Sequence, residues 1–486
     1  IKAQSFVRIG RCVCPIVQHI IEREKAIKEF VPKPYSVVTS KEKTNGEIIE
    51  LTSKRTFDEG HEVEAQALAD AFNKAGATVT NIKTERKTVN SGKLFSMSDL
   101  QGFACDVDKS LTPATVLAAT QTLYEGGYVT YPRTNSSYLA TNEVVKVNTA
   151  INGLAQAGIT GLINKQGTKS IYDDSKIEAH SAIIPTGKWP GELSGTEKTV
   201  YECILNRFCA VFCEDACTVD RTTIVIHCYD EDFTLKGDVQ VTLGWRKFEK
   251  PSSGDKILPK LHEGESVNIK FAPVGKMTTP PKRYTVKALN NWMVAPLRGV
   301  ENEGTEYTDE DWKEILSDAT ICTDATRADT ISRCIQSQYI SLKKGVYYGE
   351  PAGFYLVDAM NSLGITLDVK TTVELSKDLY HVKAGTVSRI DVLNKTKDTI
   401  NQIMNSGGTI KSQYQGTAGQ YTVIGKCPKC GGDVVETKRA FACLKKCGVA
   451  LWKDNKFLEA IGKTLTKQVA TSLIKNGKVH LTDCVG

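Results

Sequence analysis

The sequence predicts a multidomain α+β protein, and three observations carry that prediction. At 486 residues the chain exceeds what one hydrophobic core organises, so three or four domains are expected. Two blocks of period-two apolar alternation, within residues 35–89 and 218–274, flank a stretch, 93–217, whose apolar residues recur at helical spacing. Near the C-terminus Cys427, Cys430, Cys443 and Cys447 give C-x2-C and C-x3-C pairs separated by 12 residues, which marks off a small metal-built module.

Taken in order, residues 12–31 place Ile16, Val17, Ile20, Ile21, Ile27 and Phe30 at mostly helical spacing, an amphipathic helix. From Tyr35 the pattern turns to strands: YSVVTS, GEIIELTS and, after a helix over Glu64 to Ala75, TVTNIKTERKTV. In the insertion, Leu111-Thr112-Pro113 gives an N-cap followed by proline at the first helical position, and Gly126-Gly127 closes that helix. Cys209, Cys213 and Cys217 recur every four residues and read as a buried stripe on one helix face, not a second metal site. Strands return with TTIVIHCY, FTLKGDVQVTLGW and SVNIKFAPV, and residues 280–405 are helix-rich apart from an acidic surface loop at 300–318. The expected domains are 1–31 with 276–415 (helical), 32–92 with 218–275 (a β-rich arch), 93–217 (a helical domain) and 421–486 (the cysteine module and a basic tail).

Composition narrows the function classes. Hydrophobic content of 41% and charged content of 24% are ordinary for a globular protein, and no apolar run reaches the length of a bilayer span, so a membrane role is not expected. No export signal is read, so a cytoplasmic address is expected, with most of the 15 cysteines reduced. The net charge of +6 is concentrated: Lys426–Gly486 carries 12 Lys+Arg against 5 Asp+Glu, which leaves the rest of the chain near neutral. A tail of that sign is suited to phosphate.

The chemistry centres on GGYVTYPRTNSSYL, residues 126–139. Tyr131 follows a helix stop, and Pro132 both fixes its own φ and biases Tyr131 away from helix, so the phenol sits on stiff, extended backbone. A phenol with an ordinary pKa of about 10 is a weak nucleophile and needs a neighbouring cation. Arg133 offers a fixed charge and a planar fork matched to phosphate oxygens. In the terminal module, four thiolates suit tetrahedral zinc, with Pro428, Gly431 and Gly432 shaping the knuckle. The site is expected to be structural and closed. Phe441, Trp452 and Phe457 lie among lysines and read either as stacking faces for single-stranded DNA or as the module's small core.

YVTYPRTNSSYL resembles the active-site segment of type IA DNA topoisomerases, nearest their topoisomerase III-like branch, whose usual pattern is Tyr-Pro-Arg-Thr/Ser-Asp-Ser. Other blocks follow in the family's order. Gly10-Arg11 and Pro15 resemble its Gly-Arg-Val-Gln-Thr-Pro segment; LFSMSDLQ (94–101), AHSAIIPT (179–186), PPKRYT (280–285) and ATRADTISRCIQSQYI (325–340) come next, and the cysteine module resembles the family's terminal zinc ribbons. The resemblance implies a ring of helical domains and a β-rich arch ending in a zinc ribbon, with the tyrosine-bearing domain swinging to open a gate. It also implies Tyr131, Arg133 and His180 as catalytic residues, Arg11, Arg327 and Trp452 as DNA contacts, and action on nucleoid or plasmid DNA. The family's divalent metal, magnesium, is held by acidic residues of an N-terminal Toprim domain, and this chain reads as a fragment beginning after that domain, at Ile1.

Several positions depart from the family pattern. Its glutamine after Gly-Arg-Val is Val13, its aspartate in the tyrosine motif is Asn135, and its Gly-Ile-Gly-Thr-Pro is Thr320-Ile321-Cys322-Thr323-Asp324. The expected function is therefore transient single-strand cleavage through a 5′-phosphotyrosine, strand passage and religation without ATP, with this chain alone inactive. The alternative, which the departures favour, is a non-catalytic single-stranded DNA-binding remnant or paralogue. Neither the His-x-x-Arg of tyrosine recombinases nor the His-x-His of rolling-circle relaxases accompanies the tyrosine.

Overall fold

The structure is a computed structural model that describes residues 9–249, 256–297, 320–367, 369–405, 409–414, 423–437, 439–443, 445, 447–482 and 484. The chain divides into two compact units, one within 10–410 and one within 411–486. The acidic stretch expected as a loop at 300–318 lies outside the described residues. No helix among the described residues is long and apolar enough to cross a membrane.

In the larger unit, helix α1 (Val13–Lys28) buries Ile16, Val17, Ile20 and Ile21 and is followed by two sheets built from strands distant in sequence. The first has β1 (Pro34–Thr44) between β2 (Glu47–Asp58) and β7 (Ala272–Met277). The second runs β5 (Glu231–Thr242), β4 (Thr218–Cys228), β3 (Ala77–Thr88), β6 (Ser266–Val267). The β1–β7 and β3–β4 pairings are antiparallel, so the two period-two blocks read from the sequence hydrogen-bond to each other. Helix α2 (Glu62–Ala75) contributes Phe72 to a core that also holds Val38, Val79, Ile226, Phe233 and Phe271.

SVNIKFAPV, expected as one strand, is split between the sheets: Ser266–Val267 pairs with β3, and Ala272–Met277 with β1. Side chains take over from a ladder where the chain crosses. The backbone N–H groups of Asn268, Lys270 and Phe271 donate to Thr44 Oγ1, Ser40 Oγ and Asn73 Oδ1 at 3.0, 2.8 and 2.7 Å. Buried backbone donors need partners, and these polar side chains supply them at the crossing.

The insertion contains α3 (Met97–Val107), α4 (Pro113–Glu125), α5 (Val144–Gln156) and α6 (Gly195–Val211). A reciprocal capping box between Thr112 and Thr115 with Pro113 at N1 starts α4, and Gly127, at φ 74°, turns the chain out of it. The cysteine stripe is corrected: α6 ends at Val211, so only Cys209 lies on it. Cys213 makes a bridge with Leu162, and Cys217 precedes β4 with its carbonyl accepting from Val89 N–H. All three thiols are buried.

The insertion joins the sheets through a compact polar clasp. Arg207 of α6 donates to Glu249 through Nε and Nη2 at 2.9 and 2.7 Å and to the Lys93 carbonyl at 2.8 Å, with its guanidinium 4.3 Å above the Phe95 ring. Trp245 Nε1 donates to the Val89 carbonyl beside it at 2.7 Å. Further on come α7 (Val286–Val294), α8 (Asp324–Gln336), the hairpin β8 (Ile340–Lys343) and β9 (Val346–Gly349), α9 (Pro351–Ser362), α10 (Val369–Lys383) and α11 (Arg389–Asn405).

The smaller unit is a four-stranded antiparallel meander, β10 (Val423–Lys426), β11 (Asp433–Glu436), β12 (Ala440–Cys443) and β13 (Ala450–Trp452), followed by α12 (Lys456–Ala460) and α13 (Lys467–Asn476). Helix α13 packs against β10, and Ala470 and Ile474 join Ile424, Val434, Phe441 and Leu458 in one core. Much of the basic tail is thus folded onto the cysteine module.

Candidate active site

Tyr131 occupies the loop after α4, and its setting comes from two segments far away in sequence. Backbone of 128–130 runs beside 182–186: Thr130 N–H donates to the Ile184 carbonyl at 2.9 Å, Ile184 N–H to Thr130 Oγ1 at 2.9 Å, and Thr186 N–H to the Tyr128 carbonyl at 3.0 Å. On the other side Ile183 N–H donates to the Phe95 carbonyl and Met97 N–H to the Thr134 carbonyl, both at 2.9 Å. Three sequence blocks, 94–101, 126–139 and 179–186, therefore form one clasp around Tyr131. Gly187 ends the third block at φ 94°, where a Cβ would lie 2.7 Å from the Thr149 carbonyl of α5; this close approach requires glycine.

The clasp sets aromatic rings around the phenol. The His180 ring lies 4.3 Å from the Tyr131 ring, tilted by 43°, and Tyr124 meets Tyr131 edge-on at 5.4 Å. Tyr131 is half-buried and His180 exposed, so the site opens to solvent on the histidine side. Buried Thr134 donates from Oγ1 to the His180 carbonyl at 2.7 Å, which ties the histidine's backbone to the tyrosine loop. Arg133 is half-buried and Asn135 exposed on the same loop.

Sequence reading passed over Thr134 and Asp99. Asp99 accepts from Ser96 Oγ at 2.7 Å and from Ser137 Oγ at 2.8 Å, so it pins the tyrosine loop to the start of α3. The signal was present: Ser96-x-x-Asp99 is a helix-start pattern, and Ser96 Oγ accepts from Asp99 N–H.

The residues expected along the nucleic-acid track divide. Arg11 is exposed in the turn before α1. Arg327, on α8, is only 2% exposed and donates from Nη1 to Ser98 Oγ of α3 and from Nη2 to the Cys322 carbonyl at 3.2 Å. In this arrangement its guanidinium ties α8 to the insertion and does not face solvent. Asn290 of α7, also buried, donates to the Ser98 carbonyl at 3.2 Å, so α3 meets the C-terminal helices through a polar seam. PPKRYT packs on α1, where Arg23 donates to the Tyr284 hydroxyl and to the Lys282 carbonyl at 2.5 and 2.7 Å, and His19 stacks between Tyr284 and Trp292. Burial, then the Arg23 charge, holds the His19 pKa down to about 4.

The four cysteine sulfurs of the smaller unit lie within 4.8 Å of one another, with Cys427 and Cys447 3.4 Å apart and Cys430 and Cys443 likewise. Tetrahedral zinc with Zn–S bonds of about 2.3 Å places sulfurs about 3.8 Å apart, so the donor set and spacing fit zinc. Phe441 is buried in the module's core, whereas Trp452, 55% exposed, and Phe457 present their rings to solvent. Among the described residues no other group of three or more His, Cys, Asp or Glu converges on a metal-sized point.

The chain belongs to the type IA DNA topoisomerase family: the family model described as DNA topoisomerase matches residues 1–394. DNA topoisomerase 1 of Pyrococcus horikoshii is 27% identical over 454 residues, covering 88% of this chain and 61% of that protein. DNA topoisomerase 1 of Alkalihalophilus pseudofirmus is 26% identical and covers 98% of this chain and 68% of its own, and DNA topoisomerase 3 of Shouchella clausii is 26% identical with 92% and 62% covered. The chain thus spans between 61% and 68% of the length of these relatives. Full-length topoisomerase I of Thermotoga maritima shares the fold at a TM-score of 0.60 and 20% identity, covering 93% of this chain and 71% of that one.

Proposed function

We propose that this chain carries the strand-cleaving half of a type IA topoisomerase site, with Tyr131 as the nucleophile. The observation that carries the reading is the clasp of three distant blocks that sets Tyr131 against His180 on extended backbone in a chain of this family. The Tyr131 oxygen attacks a DNA phosphorus, a 5′-phosphotyrosine bond forms, and the bond to the 3′-oxygen breaks. Because the phosphoester is conserved in the tyrosine linkage, religation by the 3′-hydroxyl needs no ATP. Arg133, Arg11 and His180 stabilise the non-bridging oxygens, and the departing 3′-oxygen takes its proton from outside this set.

Magnesium and leaving-group chemistry are assigned to the Toprim domain that the family resemblance implies, and none of the steps given to Tyr131, Arg133, Arg11 and His180 runs through a metal. The smaller unit acts as a zinc ribbon: Cys427, Cys430, Cys443 and Cys447 hold a structural ion, and exposed Trp452 with the surrounding lysines stacks and neutralises single-stranded DNA. The larger unit forms the helical and arch parts of a topoisomerase III-like ring. A second reading, a non-catalytic single-strand binder, is favoured by Val13, Asn135 and the buried setting of Arg327.

The deciding experiment fuses or supplies a Toprim domain with Mg²⁺ and looks for a denaturation-resistant DNA adduct. The adduct is expected with the fused protein, absent from the isolated chain, and abolished by Tyr131→Phe with single-strand affinity nearly unchanged, since one hydroxyl contributes little binding. Arg133→Ala is expected to lower cleavage by about 10² to 10³. An adduct that survives Tyr131→Phe refutes the assignment of the nucleophile; binding without any adduct selects the second reading.

A further inference from the structure

The segment 92–97 is held at both of its ends, by the sheets on one side and by the tyrosine clasp on the other. At its start Arg207 of α6 grips the backbone: Nη1 donates to the Lys93 carbonyl at 2.8 Å, and a Cβ at Gly92 would lie 2.7 Å from that same nitrogen, so the guanidinium rests directly on the chain. It also lies 4.3 and 4.9 Å above the Phe95 and Phe103 rings. Further along, the same segment enters the site. The Phe95 carbonyl accepts from Ile183 N–H and Met97 N–H donates to the Thr134 carbonyl, both at 2.9 Å, while Lys93 Nζ donates to the Tyr138 hydroxyl at 2.6 Å. A chain spans at most about 3.6 Å per residue, so a segment this short has little slack between its two attachments.

Glu249, in the turn after β5, anchors the grip. It accepts from Arg207 Nε and Nη2 at 2.9 and 2.7 Å, a bidentate pair whose side chains are only 13% and 11% exposed. Arg55 and Asp230, an ion pair between the sheets' own residues, are by contrast both 46% exposed and screened by water. Loss of the Glu249 charge leaves the Arg207 guanidinium buried without its counter-charge, which drives it out toward solvent. The Lys93 carbonyl and the Phe95 and Phe103 rings then lose their partner together.

We propose that Glu249 is a positioning residue for Tyr131: acting through Arg207, it holds residues 92–97 in the arrangement that closes the tyrosine clasp, so the site is assembled only while the insertion is seated on the sheets.

The inference rests on the reading of Tyr131 as the nucleophile. Lifting the insertion from the sheets breaks the Arg207–Glu249 pair and slackens 92–97, and Phe95 and Met97 then release the 179–186 block and the tyrosine loop. Bond breaking and rejoining at Tyr131 are thereby confined to the seated state.

Hydrogen exchange on the full chain reads the coupling without any catalysis. Glu249→Gln should speed exchange at 128–134 and 182–186 about tenfold, whereas Asp230→Asn, which breaks the exposed pair, should leave both segments as in the parent. An ion pair that only stabilises its own surroundings would loosen 92–95 and 207–212 alone, so unchanged protection at 182–186 overturns the proposal. In the Toprim-supplied protein with Mg²⁺, single-turnover cleavage at saturating single-stranded DNA should fall about 10- to 100-fold in Glu249→Gln, with affinity within about 2-fold of the parent. An unchanged rate overturns the positioning role even where exchange quickens. Should Glu249→Gln fail to fold, Arg207→Lys, which keeps the charge and loses the planar fork, is measured in its place in both assays with the same expected results. A parent that binds DNA but forms no adduct overturns the nucleophile reading and with it the role in cleavage, while the exchange result decides by itself whether Glu249 closes the clasp.

Discussion

Thr134→Val tests whether the clasp, and not merely the presence of Tyr131 and His180, makes the site. Thr134 is 2% exposed, and its hydroxyl donates to the His180 carbonyl at 2.7 Å and accepts from Ser136 N–H at 3.1 Å. Valine keeps the β-branched shape and the backbone bonds, including Met97 N–H to the residue 134 carbonyl, and removes only the hydroxyl. A buried polar group left unpaired costs about 1–3 kcal/mol, and partial solvation of the His180 carbonyl keeps the sum near about 2 kcal/mol. That corresponds to a melting temperature lower by roughly 4–8 °C for a cooperative unit of about 150–250 residues. With His180 no longer tethered, its ring leaves the 4.3 Å contact with Tyr131, and if about 1.4 kcal/mol of transition-state positioning goes with it, cleavage falls about tenfold. The assay pairs thermal unfolding with adduct formation in the Toprim-supplied protein, and Thr134→Ser, which keeps the hydroxyl, serves as control. Equal adduct yields from the valine and serine variants would refute the reasoning, whatever their stabilities.

Stripping zinc with a chelator is expected to melt 423–476 while leaving 10–410 folded, because Cys427 and Cys443 are themselves part of the small core that α13 packs against; hydrogen exchange restricted to the cysteine loops would contradict this. A chain stopped at Gln420 should bind single-stranded DNA with a shallower salt dependence, each lost phosphate contact removing roughly 0.7 from the log–log slope, and equal slopes would mean that the lysines of 426–486 do not meet phosphate. His19 gives a pH signature with a definite sign. Its folded pKa of about 4 lies below the unfolded value of about 6.5, so the neutral ring's contribution is full above pH 6.5 and is lost as pH falls toward 4. Denaturant midpoints should therefore converge between the parent and His19→Gln as pH drops through that window, and a pH-independent gap would show that the stacked ring is not held neutral.

What the sequence determined by itself is local. Thr112-Pro113 and Gly126-Gly127 mark a helix because capping and positive φ are settled within a few residues. Strand periodicity located β1 to β5 because one buried face imposes alternation wherever the partner comes from. The cysteine spacing announced four sulfurs that do converge, since a knuckle fixes its own geometry. The motif blocks came as separate strings, and only folding brought 94–101 and 179–186 onto the tyrosine loop, with Thr134 and Asp99 as the ties. The same holds for the misreadings. SVNIKFAPV divides between two sheets because Ser40, Thr44 and Asn73 offer its backbone partners, and no pattern inside the nine residues encodes them. Arg327, a DNA contact by family resemblance alone, is received by Ser98, more than two hundred residues away, in a polar seam. Local signals survive in sequence because their interactions close over a few residues; long-range partners are chosen by burial and pairing of the whole chain, and only the tertiary structure decides them.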